Sequence, residues 1–232
     1  PPNNLSLVTG YEIQYGMVSS GNFDTVFVDD AVPGATITGL TNGVEYQFRV
    51  VVKNTIGTGS ASNVVTATPV FLTDVTWVDQ VGVSVNGNTI TKSAPPGWGN
   101  SGAGSRENFT GDGGVQFTAS AADAAANGRP MCGLSSTNRN ASYNTIEYAI
   151  FLRDTGSAVQ LRVFENGIDR GTFGTYQVGD VFKVERIGST IVYRKNNVIF
   201  YTSATPTNLP LSVDAAIYNN GGEIRDATLT GA

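Results

Sequence analysis

The feature that most constrains this chain is a period of two. Apolar and polar residues alternate in short runs, and turn residues separate the runs almost from end to end. "YEIQY" (11–15) puts Tyr11, Ile13 and Tyr15 on one face, and "EYQFRVVVKN" (45–54) does the same with Tyr46, Phe48, Val50 and Val52. "VGVSVNGNTITKS" (81–93) holds two such runs about Asn86-Gly87, and "AVQLRVFENGIDRGTFGTY" (158–176) turns at Asn166-Gly167. "DVFKVERIGSTIVYRKNNVIFYTS" (180–203) reads as a meander turning at Gly188-Ser189 and again at Asn196-Asn197. Paired Asn and Gly residues between alternating runs favour tight hairpin turns, because they tolerate positive φ. No window carries a helical period; only "SAADAAANG" (120–128) is helix-prone, and it is read as one helical turn or a loop. Strands at this spacing predict an all-β fold of antiparallel sandwich or barrel type.

A boundary falls near Pro69. The reading is a first module over 1–69, a short linker over 70–74 and a larger module over 75–232. The connecting "TPVFLTD" (68–74) is short and not rich in Gly or Ser, so the modules are expected to be closely coupled. The two differ in sequence, which leaves no internal repeat.

Composition removes several functions. Charged residues are 14% of the 232, against about 25% in an ordinary soluble domain, so Asn, Ser, Thr and Gly must supply much of the polar surface. The net charge is −5 with no basic cluster, which leaves no nucleic-acid footprint. There is no histidine, so the commonest general base and zinc ligand are missing. The single cysteine, Cys132 in "PMCGLSS", excludes an intrachain disulfide and CxxC motifs and is expected to be a buried, inert thiol. No apolar run approaches the roughly 20 residues of a membrane helix, so no membrane insertion is expected. The chain opens on "PPNN" without a methionine, so its gene is expected to start further upstream.

The first module resembles a fibronectin type III domain. The matching residues are "GYEIQY" (10–15), the corner "LTNGVEY" (40–46), the strand "YQFRVVVKN" and the loop "NTIGTGSAS". The resemblance implies that Leu40 fills core space, Gly43 supports the turn, and the Tyr46 hydroxyl bonds back to local backbone while its ring is buried. Asn42 stands where the family usually carries proline. The resemblance starts at the third strand: two earlier strands have no counterpart in "PPNNLSLVT", so apolar side chains such as Phe48 and Val50 are expected to be partly uncovered. Two accounts follow, a longer chain upstream or strands donated by a neighbouring subunit.

The second module resembles a concanavalin A-like, also SPRY-like, jelly roll found in bacterial and phage surface proteins. It does so through "GWGNSGAGSRE", "GDGGVQFTAS", "MCGLSS", "SYNTIEYAIFL", "LRVFENGIDRGTFGTYQVGDVFKVER", "IVYRKNNVIFYTS" and "LSVDAAIY". That implies a lectin-like fold without fixing an activity.

Candidate ligand-binding residues come from two loops. In "PPGWGNSGAG" (95–104), Trp98 either stacks on a sugar ring or plugs one end of the sandwich, with Asn100 beside it. In "SSTNRNASYN" (135–144), Arg139, Tyr143 and Asn144 either offer hydrogen bonds and a stacking face to a glycan or form an ordinary solvated loop. Asp29-Asp30 and Asp112 lack the spacing of a calcium loop and read as turn residues, so no metal is expected. Glu147, Glu165, Asp180, Glu185 and Asp214 are scattered on strands; a glycosidase would need two of them facing one cleft at about 5–9 Å. Arg106, Arg153, Arg162, Arg170, Arg186 and Arg194 are expected on solvated sheet faces. Together these predict a non-catalytic extracellular, cell-surface or virion segment without cofactor. It contacts a glycan or surface receptor, and other subunits of a larger assembly. The alternatives are an appendage of a secreted polysaccharide-degrading enzyme and a filament or tail subunit assembled by strand donation.

Overall fold

The computed structural model describes residues 8–28, 37–121, 123, 128–137 and 140–231. The chain forms two compact units, Pro1–Phe71 and Leu72–Ala232, and both are antiparallel β throughout the described residues.

The first unit holds β1 (Val8–Met17), β2 (Asp24–Val28), β3 (Tyr46–Asn54), β4 (Gly57–Ala61) and β5 (Val65–Ala67). They form one sheet in the order β2-β1-β3-β4, with β5 also on β3. Register pairs Tyr11 with Val52, Ile13 with Val50 and Tyr15 with Phe48, so the alternation read from sequence gathers one apolar face. The Tyr15 and Phe48 rings stack there at 6.4 Å. The other face sets polar pairs around a buried Val51: Lys53 pairs with Glu12 at 2.9 Å, and Arg49 Nε donates to Gln14 Oε1 at 2.6 Å. The apolar face is only partly covered, with Val50 39% and Val52 38% exposed. The corner forms as expected: Tyr46 is buried, its hydroxyl oxygen accepts the Thr41 N–H at 3.1 Å, and Gly43 has φ of +77°. Ile37 to Leu40, read as the end of a strand, carry no ladder. The start of that stretch and Asp29-Asp30 lie outside the described residues.

The second unit continues with β6 (Thr73–Asp74), β7 (Trp77–Val81), β8 (Val83–Asn86), β9 (Thr89–Lys92), β10 (Gly102–Phe109) and β11 (Gly113–Thr118). Then come β12 (Pro130–Ser135), β13 (Tyr148–Asp154), β14 (Val159–Glu165), β15 (Ile168–Thr172) and β16 (Val181–Ile187). β17 (Thr190–Lys195), β18 (Val198–Thr202), β19 (Leu211–Ile217) and β20 (Glu223–Thr230) close it. Thr73 and Asp74, placed in the connecting segment by sequence, pair with Leu229 and Thr228.

Two sheets pack face to face. One runs β15-β14-β13-β12-β19-β10-β7, the other β18-β17-β16-β11-β20-β9-β8 with β6 on β20. Between them lie Ile90, Phe117, Leu134, Ile150, Leu161, Phe182, Val213 and Leu229 in one core, with Cys132 sealed among them. Burial pushes the Cys132 thiol far up, so it stays protonated and inert.

The turns follow their chemistry. Asn166-Gly167 and Asn196-Asn197 both have positive φ at each central residue, as a type I′ hairpin requires. The β8–β9 hairpin is centred one residue beyond the expected pair: Asn86 faces Thr89, and Gly87, at φ of +59°, is the first central residue. Ala121 and Asp123 are helical, and the rest of that Ala-rich stretch lies outside the described residues.

A buried cation departs from expectation as well. Arg186 is sealed inside rather than solvated. Its Nε donates to the Gly111 carbonyl and its Nη1 to the Leu209 carbonyl, both at 2.6 Å, and the guanidinium lies 5.3 Å over the Phe109 ring. Carbonyl acceptors and a π face replace much of the lost hydration, which makes the burial tolerable.

Candidate functional site

The seven-stranded sheet turns one face to the core. Alternation sends Met131, Gly133, Ala149, Phe151, Phe164, Asp214 and Ala216 to the other. Register sets Phe151 beside Met131, and Met131 beside Ala216, in one row across β13, β12 and β19. An outward row this apolar has to be covered, and two loops cover it.

The first loop follows β9. Its anchor is Lys92, which is 1% exposed. The Lys92 ammonium donates to the Gly97 carbonyl at 2.8 Å, to Asn100 Oδ1 at 2.6 Å and to the Ile217 carbonyl at 2.9 Å. Three acceptors match the three protons of the ammonium, so it is fully satisfied without a carboxylate. Desolvation still lowers the Lys92 pKa below the ordinary lysine range. Asn100 Nδ2 donates to the Pro95 carbonyl at 3.0 Å, and the Gly97 N–H to the Tyr218 carbonyl at 2.8 Å. Gly99, at φ of +80°, lets the chain reverse just past Trp98. The Trp98 ring is thereby delivered, half-buried, onto the outer face.

The second loop precedes β13. Asn140 Oδ1 accepts the Ser142 N–H at 2.8 Å and the Thr145 hydroxyl at 3.2 Å, which shapes a 3-10 turn over Tyr143–Thr145. Ala141 lies over Gly102: a Cβ on that glycine would come 3.2 Å from the Ala141 Cβ and inside the Ala215 carbonyl. Ile146 is buried, and the Asn166 N–H ties its carbonyl to the β14–β15 turn at 3.1 Å.

Together the loops build an aromatic surface. Trp98 lies 4.7 Å from Tyr143 and 5.3 Å from Tyr218, ring centre to ring centre. Phe151 supports Trp98 from below at 5.8 Å, and Phe164 supports Tyr143 at 6.1 Å. Met131, Ile146, Ala149 and Ala216 form the buried floor. The Arg129 guanidinium stands 5.3 Å over the Tyr218 ring, and its Nε donates to the Asp154 carbonyl at 3.0 Å. Tyr218, Trp98 and Tyr143 thus form a row of three rings, each partly open to solvent.

The expected site residues separate on this geometry. Trp98 and Tyr143, from loops some 45 residues apart, are brought into contact. Asn144 sits beside Tyr143, exposed, with its Cβ against Gly167. Both ends of the Asn100 amide are committed to Lys92 and Pro95 inside the loop, so its role is to hold the loop. Arg139 lies outside the described residues. Tyr218 was not anticipated; the signal was an aromatic closing the apolar run "LSVDAAIY" just before Asn-Asn.

Two carboxylates do share the outer face. Asp214, 1% exposed, accepts the Ser135 hydroxyl at 2.9 Å, and its pKa is pushed up to about 7 by desolvation, with Glu147 adding repulsion. Glu147 accepts the Ser136 N–H at 3.1 Å and the Ser136 hydroxyl. Asp214 is sealed and held by Ser135, so these carboxylates do not face one open cleft as a hydrolase pair must. Among the described residues no cluster of three or more acidic or cysteine side chains is placed to hold a metal. No described helix is long and apolar enough to cross a membrane.

The fold and this surface define an all-β chain of two antiparallel units, one carrying a tyrosine corner and the other an aromatic row on a sandwich face. Residues 1–68 match the model of the fibronectin type III domain. No curated protein sequence matches the chain. Among solved structures it is similar to a legume lectin-like domain from Entamoeba histolytica, with 12% identity and a TM-score of 0.40 over 66% of this chain and 85% of that one. It is also similar to a carbohydrate binding module from Bacillus subtilis, with 12% identity and a TM-score of 0.36 over 69% and 89%. A third likeness is to a native glycosidic hydrolase, with 10% identity and a TM-score of 0.36 over 68% and 89%.

Proposed function

We propose that the second unit binds carbohydrate on the Tyr218–Trp98–Tyr143 surface. The chain is then a non-catalytic recognition or display segment on the outside of a cell or virion, such as a bacterial adhesin or a phage tail or capsid appendage. The observation that carries this is the half-open Trp98 ring, fixed between two tyrosines by a loop that a buried lysine pins from beneath. A pyranose has an apolar face that packs on an aromatic plane, and a fixed ring binds it with little loss of side-chain freedom. The decisive experiment is a glycan array with the full chain and its Trp98→Phe and Trp98→Ala variants. Binding that survives in Phe and disappears in Ala, with both variants folded, supports the proposal; signals that ignore Trp98 overturn it.

A second reading concerns the first unit. Its apolar sheet face leaves Val50 and Val52 more than a third exposed, and a face of this kind is a natural acceptor for strands from a neighbouring subunit. Sedimentation of the chain over a range of concentrations tests it: a species that stays monomeric at high concentration argues against self-assembly by this face.

A further inference from the structure

Beyond the aromatic row, the same outer face carries a second concave feature. A cavity of about 440 Å3 opens beside β10, lined by Arg106, Asn108, Ser136, Thr137, Pro210 and Ser212 among others. That volume lies in the ordinary range of small-ligand sites, about 300–1,000 Å3. Ser212 precedes Ala216 on β19 by four residues, which places the cavity roughly 13 Å along the strand from the floor of the aromatic row.

Among the described residues that line the cavity, Arg106 is the one charged side chain, and its guanidinium differs from the other described arginines. Arg162 is paired with Asp169, Arg170 with Glu165, Arg194 with Glu185 and Arg225 with Asp226. Arg49 and Arg153 bond glutamine oxygens, and Arg129 and Arg186 bond backbone carbonyls. Among the described residues, Arg106 alone makes no side-chain hydrogen bond or ion pair; its backbone N–H bonds Thr76. The acidic groups nearby are engaged elsewhere. The carboxylate of its neighbour Glu107 accepts the Thr76 N–H at 3.0 Å. Glu147 is held by Ser136, and Asp214 lies behind Ser135. Asn108 is exposed beside Arg106 with its amide uncommitted, and the exposed Pro210 supplies an apolar side.

We infer that this cavity receives the carboxylate of an acidic saccharide, a uronate unit of the glycan whose apolar face lies on the aromatic row. The inference rests on the carbohydrate reading and deepens it. A planar guanidinium forks onto a carboxylate through two parallel N–H···O bonds, a geometry that a neutral hydroxymethyl group does not reproduce. Asn108 and the Ser212 hydroxyl oxygen are placed for the ring hydroxyls, and the exposed Pro210 ring for the C–H face of the sugar. In a chain of net charge −5, a cation that feels Glu107 only through space and has no hydrogen-bonded partner among the described residues gives an acidic ligand in this concave site a local attraction.

The test is calorimetric titration of the full chain with oligomers of galacturonate, glucuronate and mannuronate, each beside its carboxyl-reduced neutral counterpart. At least one uronate oligomer is expected to bind about tenfold tighter than its neutral partner, with a preference that shrinks as salt is raised. Arg106→Gln is expected to erase that preference and leave neutral binding in place, with no loss of fold because Arg106 is exposed. Trp98→Ala should weaken charged and neutral oligomers alike. Equal affinity for charged and neutral oligomers, a preference that persists in Arg106→Gln, or no binding of any uronate overturns the inference. The aromatic-row reading is judged separately, by whether neutral glycans bind in a Trp98-dependent way.

Discussion

The Lys92 ammonium and the Asn100 amide oxygen meet at 2.6 Å beneath the loop that carries Trp98. Neither residue is one of the three rings, yet the position of the central ring, Trp98, depends on this bond. Lys92→Met keeps the apolar stem and removes the donor, leaving the Gly97, Asn100 and Ile217 oxygens without their partner. The expected cost is about 3 kcal/mol of stability, from buried acceptors stripped of a charged donor. Asn100→Ala should cost about 1–2 kcal/mol and also weaken glycan binding, since Trp98 loses its fixed position. Urea denaturation with parallel binding titrations measures both.

Trp98 reports on its own surroundings. The chain has two tryptophans, and Trp77 is buried with its indole N–H on the Asn88 carbonyl at 2.9 Å. A ligand on the aromatic row should therefore change the emission of Trp98 alone. The change is expected to survive Trp77→Phe and vanish in Trp98→Phe, and fluorescence titration of the two variants separates the contributions.

Stability should fall as pH rises toward neutrality. Asp214 is pushed up to about 7 and Asp123 to about 6, both chiefly by desolvation. The sign follows from proton binding. Between the ordinary carboxylate value near 4 and these raised values, the folded chain holds protons that the unfolded chain has released. The stabilising contribution is complete below about pH 4 and is lost as pH climbs through 6 and 7. For Asp214 alone the span is on the order of 4 kcal/mol. Other carboxylates shift the opposite way: Asp180, hydrogen-bonded by Lys195, Gln177 and Asn196, and Glu185, beside Lys183 and Arg194, are both held low despite desolvation. Their stabilisation is lost only at more acid pH. The denaturation midpoint is thus expected to be higher at pH 5 than at pH 8, and Asp214→Asn should flatten that difference.

In the first unit, Tyr46→Phe removes the oxygen that accepts the Thr41 N–H and leaves the ring in place. The expected loss is about 1–2 kcal/mol. Hydrogen exchange should show it in β1 and β3, with the strands of the second unit keeping their protection.

How much of this was legible in the sequence depends on how local the cause is. The tyrosine corner lies within seven residues and the hairpin turns within four, so pattern and turn chemistry found them. The β8–β9 turn moved by one residue because Asn86 keeps its partner Thr89 in the ladder and Gly87 takes the first positive-φ position. Lys92 and Arg186 were opaque for the opposite reason. A cation on a strand reads as solvent-facing, and the carbonyls that permit burial come from Gly97, Ile217, Gly111 and Leu209, remote in sequence or hidden in loops. Trp98 and Tyr143 could each be suspected alone. Their contact could not, because it depends on two loops folding over one apolar row formed by Phe151, Met131 and Ala216. The lack of a hydrogen-bonded partner for the Arg106 side chain among the described residues is likewise a property of its whole neighbourhood, not of its own position in the sequence.

The anchoring of the Trp98 loop separates two jobs that most binding loops combine. Lys92 and Asn100 grip the base, and the residues that would meet a ligand stand outside that grip. Changes at the tip can therefore accumulate without unfolding the sandwich, and the same scaffold can be retargeted as the surfaces it meets diversify. Substitutions at the exposed positions of the loop tip leave the Lys92–Asn100 anchor, and the interior it seals, intact.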